Sequence, residues 1–142
     1  MRALLDVNVL IALLDASHVT HSAAMTWLSD NVQKGWASCS ITQNGCVRIL
    51  SSPSYPNARP IAEVAERLRE AVSTSAHEFW PDDISSLDAA CIDVSRLHGA
   101  RQLTDAYLLA LAVRNNGRFV TFDRTVPVSA VVGAQAENLV VL

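Results

Sequence analysis

The stretch of residues 103–123, LTDAYLLALAVRNNGRFVTFD, contains the pattern that decides the fold. Thr104 is predicted to cap a helix over residues 105–115, and Gly117 is a natural stop for that helix. A strand is predicted to follow directly at residues 118–122 and to end at Asp123. An apolar helix that leads straight into an apolar strand is typical of an α/β protein.

The same alternation continues on both sides of this stretch. Further strands are predicted at residues 3–5, 36–39, 77–80 and 139–141. Further helices are predicted at residues 7–14, 22–32, 42–50, 60–72 and 87–97. The proline-rich segment 51–60, SSPSYPNARP, is the clearest loop. This order predicts a three-layer α/β sandwich with a central, mostly parallel sheet flanked by helices on both faces.

Length, composition and charge limit the classes of function. The 142 residues fit one domain, 50% of them are hydrophobic and the formal net charge is −3, so any contact with nucleic acid should be local. The three cysteines form no CxxC pair, which predicts reduced, buried thiols. Asp6 and Asn8 interrupt the apolar N-terminal stretch, so no secretion signal is predicted, and no apolar run is long enough to span a membrane. We expect a soluble, cytoplasmic protein.

Three acids occupy equivalent positions in the predicted topology. Asp6 follows the first strand, Asp105 lies at the start of a helix and Asp123 follows a late strand. Taken alone, each has a structural explanation as a helix cap, a partner of the helix dipole or a turn residue. Together they are expected to converge outside the carboxyl ends of parallel strands, where ligands bind. Converging carboxylates favour Mg²⁺ or Mn²⁺, which can activate water and polarise a phosphodiester.

Four segments resemble the PIN-domain ribonucleases and, within these, the VapC toxins of bacterial toxin–antitoxin pairs. They are LLDVNVLIALLD, ITQNGCVRIL, LTDAYLLALAVRNNGRFVTFD and the terminal ENLVVL, and together they cover nearly the whole chain.

The resemblance implies one PIN-like nuclease domain over residues 1–142. It also implies an endoribonuclease that uses Mg²⁺ or Mn²⁺, acts on transfer RNA or other structured RNA, forms a homodimer and has a VapB-type antitoxin as partner. Asp6, Asp105 and Asp123 fall on the family's acids, and all three are the expected metal ligands. Asn8, Thr104 and Thr121 fall where polar neighbours often support them.

Gln43 departs from the family pattern. The related motif is ITENG, and here residues 41–45 are ITQNG, so Gln43 stands where a catalytic Glu is expected. An amide oxygen is a weaker ligand than a carboxylate and is no general base. Gln43 is therefore either a deliberate substitution that disarms a toxic nuclease, the interpretation we favour from sequence alone, or the residue of a naturally weakened member. Gln43→Glu is expected to raise Mg²⁺-dependent RNA cleavage sharply.

Two hypotheses of function follow. The first is a metal-dependent endoribonuclease whose site consists of Asp6, Gln43, Asp105 and Asp123. The second is a catalytically silent PIN-fold module that binds RNA or its antitoxin, which the neutral Gln43 favours. Other residues carry weaker signals. Single arginines at 48, 59, 101 and 124 could contact phosphate, although a solvated arginine is the commoner outcome. His18 and His21 could contact RNA, and His77 and His98 are interpreted as structural.

Overall fold

The computed structural model describes all 142 residues and is built on a five-stranded sheet. Its strands are β1 (Ala3–Leu5), β2 (Trp36–Ser38), β3 (His77–Phe79), β4 (Arg118–Thr121) and β5 (Leu139–Val141). They lie in the order β3-β2-β1-β4-β5, and all four neighbouring pairs are parallel. The predicted parallel sheet is confirmed, and β1 lies at its centre.

Five helices connect and cover the strands. They are α1 (Val7–Leu14), α2 (His21–Asn31), α3 (Ser40–Leu50), α4 (Ile61–Val72) and α5 (Gln102–Arg114). Short 3₁₀ turns at Val32–Lys34, Val94–Arg96, Val128–Ala130 and Ala136–Asn138 complete the chain. No helix in this set is long and apolar enough to cross a membrane.

Side chains along the central strands point alternately to the two faces of the sheet, and this divides the core into two clusters. Leu4 and Phe119 belong to a cluster that contains the buried side of α5. Leu5 and Val120, one residue further along each strand, belong to a second cluster with α1, α3 and α4. Successive side chains of a strand point to opposite faces, so both faces of the sheet are covered. The three-layer sandwich predicted from the sequence is confirmed.

The helix predicted at residues 87–97 is wrong. This segment consists of turns, an isolated bridge between Ile92 and Val131 and a 3₁₀ turn. The side chains of Asp88 and Asp93 accept hydrogen bonds from the backbone N–H groups two residues later, at 2.9 and 3.1 Å. Such local turns compete with helix formation. Leu87 is also 93% exposed, so the apolar residues of the segment do not share one face.

The start of α5 and the residues that end it both differ from the prediction. The helix begins at Gln102, so Thr104 lies inside it and does not cap it. At the other end Asn116 has a φ of 53°, and the N–H of Gly117 donates to the carbonyl of Ala112 at 2.8 Å. This is a Schellman motif in which Asn116 supplies the left-handed residue. Gly117 is required for a different reason, namely the close approach of Arg2 and Trp80 to its Cα.

The proline-rich loop is anchored to the end of α1 by a hydrogen bond from the Tyr55 hydroxyl to the Asp15 carboxylate. This bond lowers the pKa of Asp15, and burial together with Asp15 raises the pKa of Tyr55 to about 12.

Tyr55→Phe is expected to lower the free energy of unfolding by about 1 kcal/mol at pH 7 because it removes this bond. The pKa of Asp15 is depressed in the folded state, so the stabilisation is present above its unfolded value. It should disappear as the pH falls through the folded pKa. Urea unfolding at pH 7 and pH 3 measures this difference, and Asp15→Asn should abolish the pH dependence. An equal loss at both pH values would contradict the assignment.

Candidate metal and active site

Asp6 joins the central strand to α1. It is the N-cap of α1, with extended backbone angles, and its side chain is 7% exposed. Its Oδ1 accepts a hydrogen bond from the N–H of Val7 at 2.7 Å, and its Oδ2 accepts one from the Thr121 hydroxyl at 2.6 Å. The capping role is therefore real, and it fixes the carboxylate at the carboxyl edge of the sheet.

Thr121 ties the ends of β1 and β4 together. Its hydroxyl oxygen is buried and accepts hydrogen bonds from the Asn8 amide at 3.1 Å and from the backbone N–H of Asp123 at 3.0 Å. Asn8 in turn accepts from the N–H of Phe122 at 3.2 Å. Asn8 and Thr121 thus support the acids as the sequence predicts, whereas Thr104 is exposed on α5.

Asp105 and Asp123 are coupled to each other and to Asp6. Burial, followed by the charges of Asp6 and Asp123, raises the pKa of Asp105 to about 6. Burial also raises the pKa of Asp6. Hydrogen bonds from the hydroxyl and N–H of Thr125, both at 2.7 Å, lower the pKa of Asp123. The structure therefore brings the three predicted acids into one electrostatic unit.

Gln43 forms no hydrogen bond with any of these carboxylates. It lies in the first turn of α3, and its Nε2 donates to the Ser38 hydroxyl at 2.9 Å. Ser38 also bonds to Nε2 of His77 at 2.8 Å. Sequence reasoning missed Ser38 and Thr125 and gave His77 only a general structural role. A serine in an otherwise apolar strand was the one available signal.

The donor chemistry suits a divalent cation, although the ligands are not gathered around one point. No group of three or more His, Cys, Asp or Glu side chains in the structure is close enough to surround a metal ion. Both oxygens of Asp6 accept protein hydrogen bonds, as does Oδ1 of Asp123. After burial, the charges of Asp6 and Asp123 are the causes of the raised pKa of Asp105, and a bound cation would offset this excess of negative charge.

The other candidate residues are exposed or form local hydrogen bonds. The four arginines at positions 48, 59, 101 and 124 are exposed. His21 bonds to the Ala12 carbonyl at 2.7 Å, while His18 bonds to Thr20. Both carboxylate oxygens of Asp82 are buried, without a hydrogen-bond partner.

Comparisons with known proteins show which family this chain belongs to. The PIN domain family model matches residues 3–129. Ribonuclease VapC44 of Mycobacterium tuberculosis is 54% identical over 142 residues, which cover 100% of both chains. Ribonuclease VapC39 of the same species is 42% identical over 134 residues, covering 94% of this chain and 96% of the relative.

A solved structure supports the fold independently. VapBC2 from Rickettsia felis, crystallised with a DNA fragment from its promoter, superimposes with a TM-score of 0.61 at 13% identity, covering 100% of this chain and 98% of the other. The protein described here belongs to the PIN domain family and, within it, to the VapC group.

Proposed function

We propose that this chain is a Mg²⁺- or Mn²⁺-dependent endoribonuclease and the toxin of a type II toxin–antitoxin pair, with its activity carried by one domain of residues 1–142. The observation that carries the proposal is the coupling of Asp6, Asp105 and Asp123 at the carboxyl edge of the sheet. The names of the relatives, all ribonucleases of the VapC group, support RNA as the substrate.

Each acid has a distinct task in this proposal. Asp6, Asp105 and Asp123 would hold the cation, which would polarise the phosphodiester and make water a better nucleophile. Thr121 fixes the rotamer of Asp6, and Thr125 keeps Asp123 ionised. Burial and the charges of the other two acids raise the pKa of Asp105 to about 6, so its ionisation would respond to a bound cation. No covalent nucleophile is required.

Substrate and partners follow from the same resemblance. We assign transfer RNA or another structured RNA as the substrate, a VapB-type antitoxin as the partner and a homodimer as the working form, in the cytoplasm. The solved VapBC2 complex supports a paired antitoxin. The net charge of −3 indicates that RNA contacts are local, which suits cleavage at a defined position better than coating of the RNA.

Cleavage of end-labelled total RNA with Mg²⁺, with Mn²⁺ and with excess EDTA tests the nuclease proposal. We expect discrete cuts with either metal and none with EDTA. Cuts that persist in EDTA would overturn the metal requirement.

Gln43 supports a second candidate, a catalytically silent module that binds RNA or antitoxin. Its amide adds no negative charge to the three carboxylates and is already bonded to Ser38. RNA that is bound in a filter assay but left uncut under all metal conditions would favour this candidate over the nuclease.

Gln43→Glu is expected to raise Mg²⁺-dependent cleavage by about tenfold or more, because a fourth carboxylate strengthens metal binding and activates water. Initial rates on a labelled RNA measure this effect. Asn44→Asp is the matched control, since it adds the same charge at the next, exposed position of α3. Equal rates for the wild type and Gln43→Glu would contradict the prediction.

A further inference from the structure

Phe79 is the aromatic side chain that the fold leaves uncovered. Every other Trp, Tyr and Phe residue belongs to one of the two core clusters or packs against it. Phe79 belongs to neither cluster and is 47% exposed. Trp80, the next residue, is 2% exposed and lies in the cluster that contains α5. The core therefore does not explain why position 79 carries an aromatic ring.

The pairing of β2 with β3 determines the face of the sheet on which Phe79 lies. The register aligns Phe79 with Ser38, and it aligns His77 with Trp36. Aligned residues of neighbouring strands share a face, as do alternate residues of one strand. The His77 ring packs on Trp36 with centroids 4.5 Å apart, and its Nε2 lies 2.8 Å from the Ser38 hydroxyl. Phe79 therefore lies on the same face as Trp36, which belongs to the cluster with α3 and α4.

This position is at the carboxyl edge of the sheet, beside the candidate active site. Ser38, the residue aligned with Phe79, accepts a hydrogen bond from the Gln43 amide at 2.9 Å. The strands β3, β2 and β1 are consecutive neighbours. The end of β3 therefore lies two strand spacings, about 10 Å, from the end of β1, which Asp6 follows. RNA with a phosphodiester at the three acids would have a nearby base within reach of the ring.

We propose that Phe79 stacks on a base of the RNA substrate close to the phosphodiester that is cleaved. This proposal rests on the proposed nuclease function. An exposed aromatic ring holds an unstacked base through its flat face, and the loops of a structured RNA offer such bases. The Ser38 hydroxyl and the Gln43 amide lie on the same side of the sheet at this edge. Polar groups beside a single ring suit a base, with its apolar face and polar edge, better than the apolar centre of a protein interface.

Binding of a fluorescein-labelled single-stranded RNA tests the stacking, by fluorescence anisotropy in EDTA so that no metal-dependent cleavage occurs. Phe79→Ala should weaken binding about tenfold, and so should Phe79→Leu, which keeps an apolar side chain without the ring. Phe79→Trp should keep the affinity or increase it. Leu87→Ala is the matched control, because Leu87 is an apolar side chain that is 93% exposed. Wild-type affinity in Phe79→Ala, or no RNA binding by the wild type, would overturn the proposal.

A series of RNAs with one abasic position each identifies the stacked base. Loss of that base should weaken binding by the wild type about tenfold and leave binding by Phe79→Ala unchanged. Equal losses in the wild type and the variant at every abasic position would show that the ring does not act on a base. A variant that binds RNA normally but no longer copurifies with a protein partner would assign Phe79 to a protein interface and overturn the proposal.

Cleavage in Mg²⁺ separates this proposal from the nuclease proposal. Phe79→Ala should raise KM about tenfold with kcat little changed, since stacking holds the RNA equally before and during the reaction. A wild type that binds RNA but cuts none would contradict the nuclease function. The affinities measured in EDTA would still decide whether Phe79 stacks on a base. The Phe79 variants should keep the wild-type urea midpoint, because the ring lies outside both core clusters.

Discussion

Asp105→Asn is expected to reduce metal-dependent RNA cleavage by about a thousandfold or more. The substitution removes one of the three charges proposed to hold the cation, and the expected loss of transition-state stabilisation is several kcal/mol. Cleavage rates of a labelled RNA with saturating Mg²⁺ measure the effect. Asp30→Asn, at the exposed end of α2, is the matched control and should keep the wild-type rate.

The same substitution should leave the folded protein at least as stable. The pKa of Asp105 is about 6 in the fold, above the ordinary value of 3.8, so its ionised form is disfavoured by folding. Folding stability contributed by this group is present below the unfolded pKa and is lost as the pH rises through the folded pKa. An asparagine carries no charge and avoids that loss at pH 7. Thermal unfolding in EDTA at pH 5 and pH 8 checks this expectation.

The cleavage rate and the melting temperature together therefore distinguish loss of the site from damage to the fold. Low activity with an unchanged or raised melting temperature supports the role assigned to Asp105. Wild-type activity in Asp105→Asn would remove this residue from the proposed site.

Gly117→Ala is expected to lower the free energy of unfolding by about 2–3 kcal/mol. An added Cβ would lie 2.6 Å from a ring carbon of Trp80 and 2.7 Å from the carbonyl oxygen of Arg2. That carbonyl accepts from Arg118 at 3.0 Å as β4 begins beside β1, so the backbone has little freedom to move away. Overpacking of this kind costs one to a few kcal/mol.

Gly99→Ala provides the control for Gly117→Ala. Apart from the glycine itself and its two chain neighbours, no residue has an atom within 4 Å of the position that its Cβ would occupy, and the residue is exposed. This variant should match the wild type or exceed it slightly, because alanine restricts the unfolded chain. Urea midpoints of the two variants measure the contrast. Similar midpoints would mean that a Cβ at position 117 fits without a steric clash with Trp80 or Arg2.

The acids and the sheet could be predicted because their signals are local. Asp6 and Asp123 each follow directly on an apolar strand, and the geometry of parallel sheets brings such positions to one edge. The family motifs placed Asp105 beside them. The termini of α5 were predicted less well. The sequence pattern assigned the end of the helix to Gly117 alone, whereas Asn116 supplies the left-handed residue and Gly117 leaves room for Arg2 and Trp80.

The links between Gln43, Ser38 and His77 could not be predicted in the same way. Ser38 and His77 are 39 positions apart, and they meet only because β2 and β3 pair in a register that aligns Ser38 with Phe79. The predicted helix at residues 87–97 failed for a related reason. Its apolar residues suggested one buried face, whereas Ile92 is buried and Leu87 is exposed.

The central place of β1 has a consequence for synthesis of the protein. Its partner β4 begins 113 positions after the end of β1, since the strands span residues 3–5 and 118–121. Contacts between such distant segments form late, and chains grow from the N-terminus at the ribosome. A nascent chain that has not yet released Thr121 lacks the hydroxyl that fixes Asp6, as well as the carboxylate of Asp123. The candidate site of the proposed toxin therefore cannot assemble until most of the chain has been synthesised.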